Sequence, residues 1–299
     1  MSASQAITPE LRRWIVSQAE SGVTPAQMLA SMMASGWQDR VAREALTQTL
    51  GPLAQALPVA PANGAAKVAA EAAEHTPKDQ PTASVPSPQV EGRHCIDING
   101  HVVNVVMTCQ RPRVVVFSNL LTPQECEALC QAAQPRLERS ETVEVATGGN
   151  EVNAARTSDG MFFQRAETEF IASIERRIAT LVNWPVQRGE GLQILRYRPG
   201  AQYKPHFDYF DPSQPGTARM LERGGQRVGT LIIYLRAPQA GGATVFPDAG
   251  LEVAPVPGQA VFFSYDQPVP ATLTLHGGAP VLAGEKWVAT KWMRQQDFF

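Results

Sequence analysis

The residues of this chain best placed to do chemistry sit in "YKPHFDYF", residues 203 to 210, where His206 and Asp208 stand two positions apart among aromatic side chains. On a strand, residues i and i+2 share a face, so this imidazole and this carboxylate would project together while Phe207 turns the other way. Two such groups on one edge are a start toward a metal site, and a third ligand has to come from a different strand. Of the five histidines, His276 in "LTLHGGAPV" lies downstream in the same β-rich region; His75 falls in a Pro-rich stretch, and His94 and His101 precede the region. Two histidines and one carboxylate on one face of a metal leave three positions open, the ligand set associated with non-haem Fe(II) oxygenases. His-x-Asp is also the pattern of an ordinary surface hydrogen bond, so the pair alone does not decide. Lys286, ten residues beyond His276 in "GEKWVATKW", adds weight. An ammonium deep in an apolar barrel is costly unless it meets a carboxylate, and with no protein partner evident a ligand carboxylate is the natural candidate.

The elements that must position these groups read as follows. From about residue 93 the texture is β-rich, interleaved with two amphipathic helices. "PRVVVFSNLL" is a strand leading into a helix opened by Thr122-Pro123-Gln124-Glu125, and "AETEFIASIERRIATLVNW" has helical period with acidic residues first and arginines later. After residue 188 the chain is mostly short strands: "GLQILRYRP", "YKPHFDYF", "VGTLIIYLR", "GGATVFP", "LEVAPVPGQAVFFSY", "LTLHGGAPV" and "KWVATKWMR". Strands this short, broken by Gly and Pro, predict an antiparallel sandwich or barrel with the helices packed outside one sheet.

Upstream, residues 1–50 predict three short helices, with Thr8-Pro9-Glu10 and Thr24-Pro25-Ala26-Gln27 as start signals and Gly22 and Gly36 as stops. Leu11, Trp14, Ile15, Met28, Leu29, Met32, Val41, Ala45 and Leu46 recur at helical spacing and are expected to form a miniature core, in a small module that recruits a substrate or a protein partner. Residues 51–92 are rich in Ala and Pro and carry no aromatic residue, the composition of a semi-flexible linker with a transient Ala-rich helix near residues 64–75. The expected organisation is therefore a helical module (1–50), a linker (51–92) and a catalytic domain (93–299).

Composition narrows the partners. With 26 basic and 28 acidic residues and a formal net charge of −2, the chain has no basic footprint for nucleic acid or an anionic membrane. No stretch approaches the roughly 18 apolar residues of a membrane-spanning helix, and the N-terminus lacks a signal-peptide pattern, so a cytoplasmic protein is expected. Four cysteines with no Cys-x-x-Cys spacing fit reduced thiols: Cys126 and Cys130 stand i, i+4 on the first predicted helix, and Cys95 and Cys109 flank a predicted hairpin.

The spans "EGLQILRYRPGAQYKPHFDYF", "GGQRVGTLIIYL", "GGATVFP" and "LHGGAPVLAGEKWVATKW" resemble, in order and spacing, the catalytic domain of prolyl 4-hydroxylases, Fe(II)- and 2-oxoglutarate-dependent dioxygenases of double-stranded β-helix (jelly-roll) fold. The likeness runs from about residue 111 onward. It implies a mainly β domain with flanking helices in which His206, Asp208 and His276 hold Fe(II). It also implies that Lys286 receives the far carboxylate of 2-oxoglutarate, with hydroxyl hydrogen bonds from Tyr197 and Thr244. Dioxygen is the second cosubstrate, 2-oxoglutarate leaves as succinate and CO2, and L-ascorbate is the expected rescuing reductant. Related halogenating enzymes vacate the carboxylate position for chloride; Asp208 is present, which favours hydroxylation.

For the substrate, the resemblance matches Arg227, Trp292, Glu190, Arg156 and Ser158 to positions lining a peptide groove. An arginine fork can hold peptide carbonyls, and an aromatic face can pack on a proline ring. Each of these residues is equally readable as a surface ion pair or a core aromatic. "DPSQPGTARMLERGGQR", residues 211–227, has the composition of a lid over the site. Peptidyl-proline 4-hydroxylation is the leading reading. Hydroxylation of a free amino acid or other small molecule, and a catalytically silent module that binds Pro-rich peptides, stand as alternatives.

Overall fold

The computed structural model describes residues 7–20, 24–34, 37–51, 85–140, 142–143, 150–151 and 157–299. The chain divides into two compact units, Met1–Lys78 and Asp79–Phe299. In the first, helices Pro9–Glu20, Pro25–Ala34 and Asp39–Leu50 close over Ile15, Met28, Leu29, Met32, Ala42, Ala45 and Leu46. Three expected core positions fall outside that buried set: Leu11 packs against it only partly buried. Trp14 is 37% exposed, and Val41 is only half-buried because the inward stripe of its helix runs through Ala42, Ala45 and Leu46, at i, i+3 and i+4.

The second unit is built on a nine-stranded antiparallel sheet. Its order is Cys95–Ile98, His101–Cys109, Arg113–Ser118, Ala260–Ser264, Arg227–Arg236, Lys286–Arg294, Leu192–Tyr197, Asp159–Phe163 and Glu138–Arg139. A four-stranded antiparallel sheet, in the order Leu251–Val253, Thr244–Phe246, His276–Gly278 and Tyr203–His206, accompanies it.

The alternation of a strand sends successive side chains to opposite faces, and two cores result. Val115, Phe117, Leu231, Ile233, Phe262, Trp287 and Ala289 join the core on the helix side. Their neighbours Val114, Val116, Tyr234, Val261, Phe263 and Val288 join Phe246 and Val253 of the smaller sheet. With both faces covered, all nine residues of Lys286–Arg294 are buried.

On the helix side, Glu169–Val182 presents Ile171, Ile174, Ile178 and Leu181, and Pro123–Ala133 presents Cys126, Leu129, Cys130 and Ala133. The second of these opens as its sequence predicts. The Thr122 hydroxyl accepts from Glu125 N at 3.1 Å, and the Glu125 carboxylate accepts from Thr122 N at 2.8 Å. The same carboxylate takes both arms of Arg177, at 2.8 and 2.7 Å, which joins the two helices. All four cysteines are free, and burial pushes the Cys126 and Cys130 thiols up to about 11 and about 12.

Residues 85–92, grouped with the linker by composition, belong to the Asp79–Phe299 unit. Val85 and Val90 pack against the helix-side core, and Ser87 N donates to Val182 O at 3.0 Å. A proline count does not register these apolar anchors. The Ala-rich stretch 64–75 lies outside the described residues. Among the described residues no helix is long and apolar enough to cross a membrane.

Thr122→Ala is expected to lower the unfolding free energy by about 1 kcal/mol through loss of the cap. Equilibrium denaturation checks this, and an unchanged transition midpoint would contradict it.

Candidate active site

Strands Tyr203–His206 and His276–Gly278 pair antiparallel with His206 directly opposite His276, and their ring centroids lie 4.4 Å apart. Gly277 permits this approach: a Cβ there would come within 2.8 Å of the Tyr203 carbonyl oxygen. The strand ends at His206, so Asp208 is not carried to the site by strand alternation, as the sequence pattern suggests. The chain bends past the strand end instead and sets the carboxylate between the rings, Oδ1 3.5 Å from His206 Nε2 and Oδ2 3.4 Å from His276 Nε2. The three side chains offer ligand atoms that all lie within 4.8 Å of one another.

Both imidazoles are oriented from behind. His206 Nδ1 is 2.9 Å from the Lys204 carbonyl and His276 Nδ1 is 3.0 Å from that of Thr274. A carbonyl only accepts, so Nδ1 is the donor in each contact and Nε2 is the nitrogen left facing Asp208. Tyr203 stacks on His206 at 3.7 Å, and Phe263 lies 4.5 Å from His276.

The Thr230 hydroxyl donates to Asp208 Oδ2 at 2.8 Å. Its proton being spent there, the buried Tyr265 hydroxyl is the donor in their 3.1 Å contact. Burial works to raise the Asp208 carboxyl, but the imidazoles of His276 and His206 and the Arg227 guanidinium outweigh it and hold the group far below the usual carboxylate range. Burial, only partly opposed by Asp208, drives His276 down to about 4, so its Nε2 is unprotonated near neutral pH.

Lys286 opens strand Lys286–Arg294 opposite Tyr197 and is 4% exposed. Burial lowers its ammonium to about 8, with no carboxylate among the described residues to offset it. Its Nζ lies 5.6 Å from the ring centroids of both Tyr197 and Tyr234, contacts that favour a cation without neutralising it. Tyr234 donates its hydroxyl hydrogen to Thr244 Oγ1 at 2.8 Å, which leaves the Thr244 hydrogen for a ligand. Tyr197, Thr244 and Lys286 line one cavity together with His206, Asp208 and His276.

A groove of about 1380 Å³ opens over His206 and Asp208 and includes Arg227, Glu190 and Trp292 in its lining. The Arg227 fork is not free for peptide carbonyls: Nε and Nη2 close on Glu190 at 2.7 and 2.9 Å. Arg294 Nη1 takes the same Glu190 carboxylate at 2.9 Å. A carboxylate this buried recruits charge from within the protein before solvent or ligand can compete. What Arg227 offers is its plane, 4.0 Å from the Trp292 ring centroid, and the buried Trp292 Nε1 has no hydrogen-bond partner among the described residues. Ser158 is buried and donates to Ser140 at 3.0 Å; Ser140, not Ser158, lines the groove. Arg156 lies outside the described residues.

Residues 192–294 match the model of the 2OG-Fe(II) oxygenase superfamily, 2OG being 2-oxoglutarate. Over 204 residues the chain is 43% identical to prolyl 4-hydroxylase 1 of Arabidopsis thaliana, covering 62% of this chain and 70% of that protein. The chain belongs to the prolyl 4-hydroxylase family. Prolyl 4-hydroxylase 5 of the same plant is 39% identical to it over 209 residues, covering 62% of this chain and 70% of the relative. The 2OG complex of the viral collagen prolyl hydroxylase from Paramecium Bursaria Chlorella virus-1 has 29% identity and a TM-score of 0.46, over 60% of this chain and 95% of that one.

The family implies Fe(II), 2OG and dioxygen, and the donor chemistry of this oxygenase fits them. Two imidazole nitrogens and one carboxylate suit ferrous iron, and a buried ammonium with no counterion among the described residues, in the same cavity, suits the far end of a dicarboxylate. The sequence pattern missed Thr230, Tyr234, Tyr265, Arg294 and the buried Lys291–Glu175 pair, whose atoms meet at 2.5 Å. Lys291 and Arg294 had a signal: two cations inside the otherwise apolar strand "KWVATKWMR".

Lys286→Ala is expected to raise the KM for 2OG at least about thirtyfold, as loss of one partner of a buried charge pair does. On the reading that Lys286 receives the far carboxylate, 2OG binding needs the protonated amine. Rising pH through about 8 therefore weakens 2OG, and the KM at pH 9 should be about ten times that at pH 7. Initial rates at the two pH values check this; a pH-independent KM would contradict it.

Proposed function

We propose that this chain hydroxylates C4 of proline within a peptide, consuming dioxygen and 2OG and releasing succinate and CO2. One oxygen atom enters the proline C–H bond and the other enters succinate, so the equation balances without a further reductant. The observation that carries the reading is one cavity that combines the His206–Asp208–His276 cluster with a buried lysine unpaired among the described residues, beside a groove of about 1380 Å³ that shares His206 and Asp208 with it. A free amino acid would leave most of a groove of about 1380 Å³ unfilled.

His206, Asp208 and His276 hold the iron, and the Thr230–Tyr265 hydroxyl chain and the two backbone carbonyls fix their orientation. Lys286 and the Thr244 hydroxyl receive the far carboxylate of 2OG, and Tyr197 and Tyr234 wall its stem. Bound iron with 2OG supplies the oxidising chemistry that the side chains cannot. The protein's own work is to orient the cosubstrate and keep water from the reacting C–H bond. Trp292 and the Arg227 plane present an aromatic, cationic wall to the proline ring.

The two sheets over one core support the jelly-roll reading. We further infer that L-ascorbate sustains turnover, that the enzyme works in the cytoplasm, and that residues 1–50 form a module, joined through a linker, that recruits a protein partner.

Succinate formation under air with Fe(II), 2OG and ascorbate is expected to rise severalfold on adding a Pro-rich peptide, with a mass gain of one oxygen on proline, and to vanish in His206→Ala. Peptide-independent turnover that still requires His206 would move the substrate to small molecules. Absent turnover despite bound iron and 2OG would favour the silent binding module.

A further inference from the structure

The segment Gln295–Phe299, beyond strand Lys286–Arg294, carries an element that the activity above does not use. Gln295 N donates to Gln226 O at 2.8 Å and Gln296 N to Gly224 O at 2.9 Å, so this strap is laced to the end of the 211–227 segment. Phe298 is pinned at both backbone atoms: its N–H donates to Gln187 O at 2.9 Å, and its carbonyl accepts from Arg165 Nη1 at 2.7 Å. The ring so fixed lines the groove.

Two guanidiniums lie near that ring, Arg223 at 4.7 Å and Arg294 at 5.2 Å from its centroid. Arg223 Nε also donates to Phe299 O at 2.7 Å. Arg294 Nη2 donates to the carbonyls of Met220, at 2.7 Å, and Arg223, while its Nη1 holds Glu190. One buried cation thus connects the groove floor to the backbone of the loop. Gly224 makes the approach possible, with φ +82 and a would-be Cβ 3.1 Å from the Phe298 ring. Met220, Arg223 and Phe298 all face the groove.

We infer that Phe298 is a substrate-positioning residue: the strap clamps the 211–227 segment as a standing wall of the groove, and the Phe298 ring is part of the surface that a peptide substrate packs against. The inference rests on the prolyl-hydroxylase reading. It replaces the lid suggested by composition, because a segment tied at Met220, Arg223, Gly224 and Gln226 before substrate arrives has little closing left to do. The cavity that holds Lys286 and Thr244 does not include Phe298, so peptide binding and 2OG binding should part company when the ring is removed.

The test compares peptide KM and 2OG KM in the parent, Phe298→Ala and Phe298→Tyr, alongside tryptic cleavage after Arg219 and Arg223 without peptide. Phe298→Ala should raise the peptide KM about tenfold, the scale of one lost aromatic contact, at an unchanged 2OG KM, and should speed cleavage in the loop; Phe298→Tyr should restore both. An unchanged peptide KM in Phe298→Ala, or a parallel rise of both KM values, would overturn the assignment. Rapid cleavage of the parent that peptide suppresses would restore the lid. A parent that turns over no proline peptide would overturn the activity itself, and this inference with it.

Discussion

The site depends on a single cross-strand register, His206 opposite His276. A one-residue slip of either strand would turn one imidazole to the other face of the sheet and dissolve the ligand set. Much of the surrounding sequence serves that register. Gly277 clears the Tyr203 carbonyl, Tyr203 stacks on one ring and Phe263 flanks the other. The Lys204 and Thr274 carbonyls decide which nitrogen faces inward. Asp208 then completes the set from outside the strand.

Behind this edge the protein handles buried charge in two opposite ways. Around Glu190, the guanidiniums of Arg227 and Arg294 satisfy one carboxylate, and Lys291 pairs with Glu175 close by. These charges are neutralised internally, and they hold Trp292 and the loop carbonyls in place. Among the described residues Lys286 is left without a counterion. An unpaired buried cation is expensive, and its cost is relieved when a ligand supplies the carboxylate. The contrast separates scaffold from binding site along one strand, since Lys286, Lys291 and Arg294 all lie on Lys286–Arg294.

Sequence reasoning reached Lys286 and the three candidate ligands because each is a rare residue type in an apolar or aromatic setting. It brought Asp208 to the site for the wrong reason, since strand period says nothing of where a strand stops. Glu190, Arg227 and Trp292 were found, but not that the first two consume each other. Burial of a pair is a property of three-dimensional packing, and the positions are 37 residues apart. Thr230 and Tyr265 were invisible for a similar reason: an ordinary threonine and tyrosine gain their role only from the pairing of Arg227–Arg236 with Ala260–Ser264. The alternation of apolar residues, by contrast, foretold most strands and the helices outside one sheet, because the two cores are written locally at period 2.

The central claim is that the His206–Asp208–His276 cluster and Lys286 form one binding site, metal at one end and ammonium at the other. Calorimetric titration of 2OG into the full chain under anaerobic conditions, with and without Fe(II), tests it most directly. The account predicts one equivalent of 2OG bound with Fe(II) present, and an affinity that collapses when the metal is withheld or His276 is replaced by alanine. Equal affinity with and without metal would contradict it, because the lysine would then hold the ligand away from the cluster.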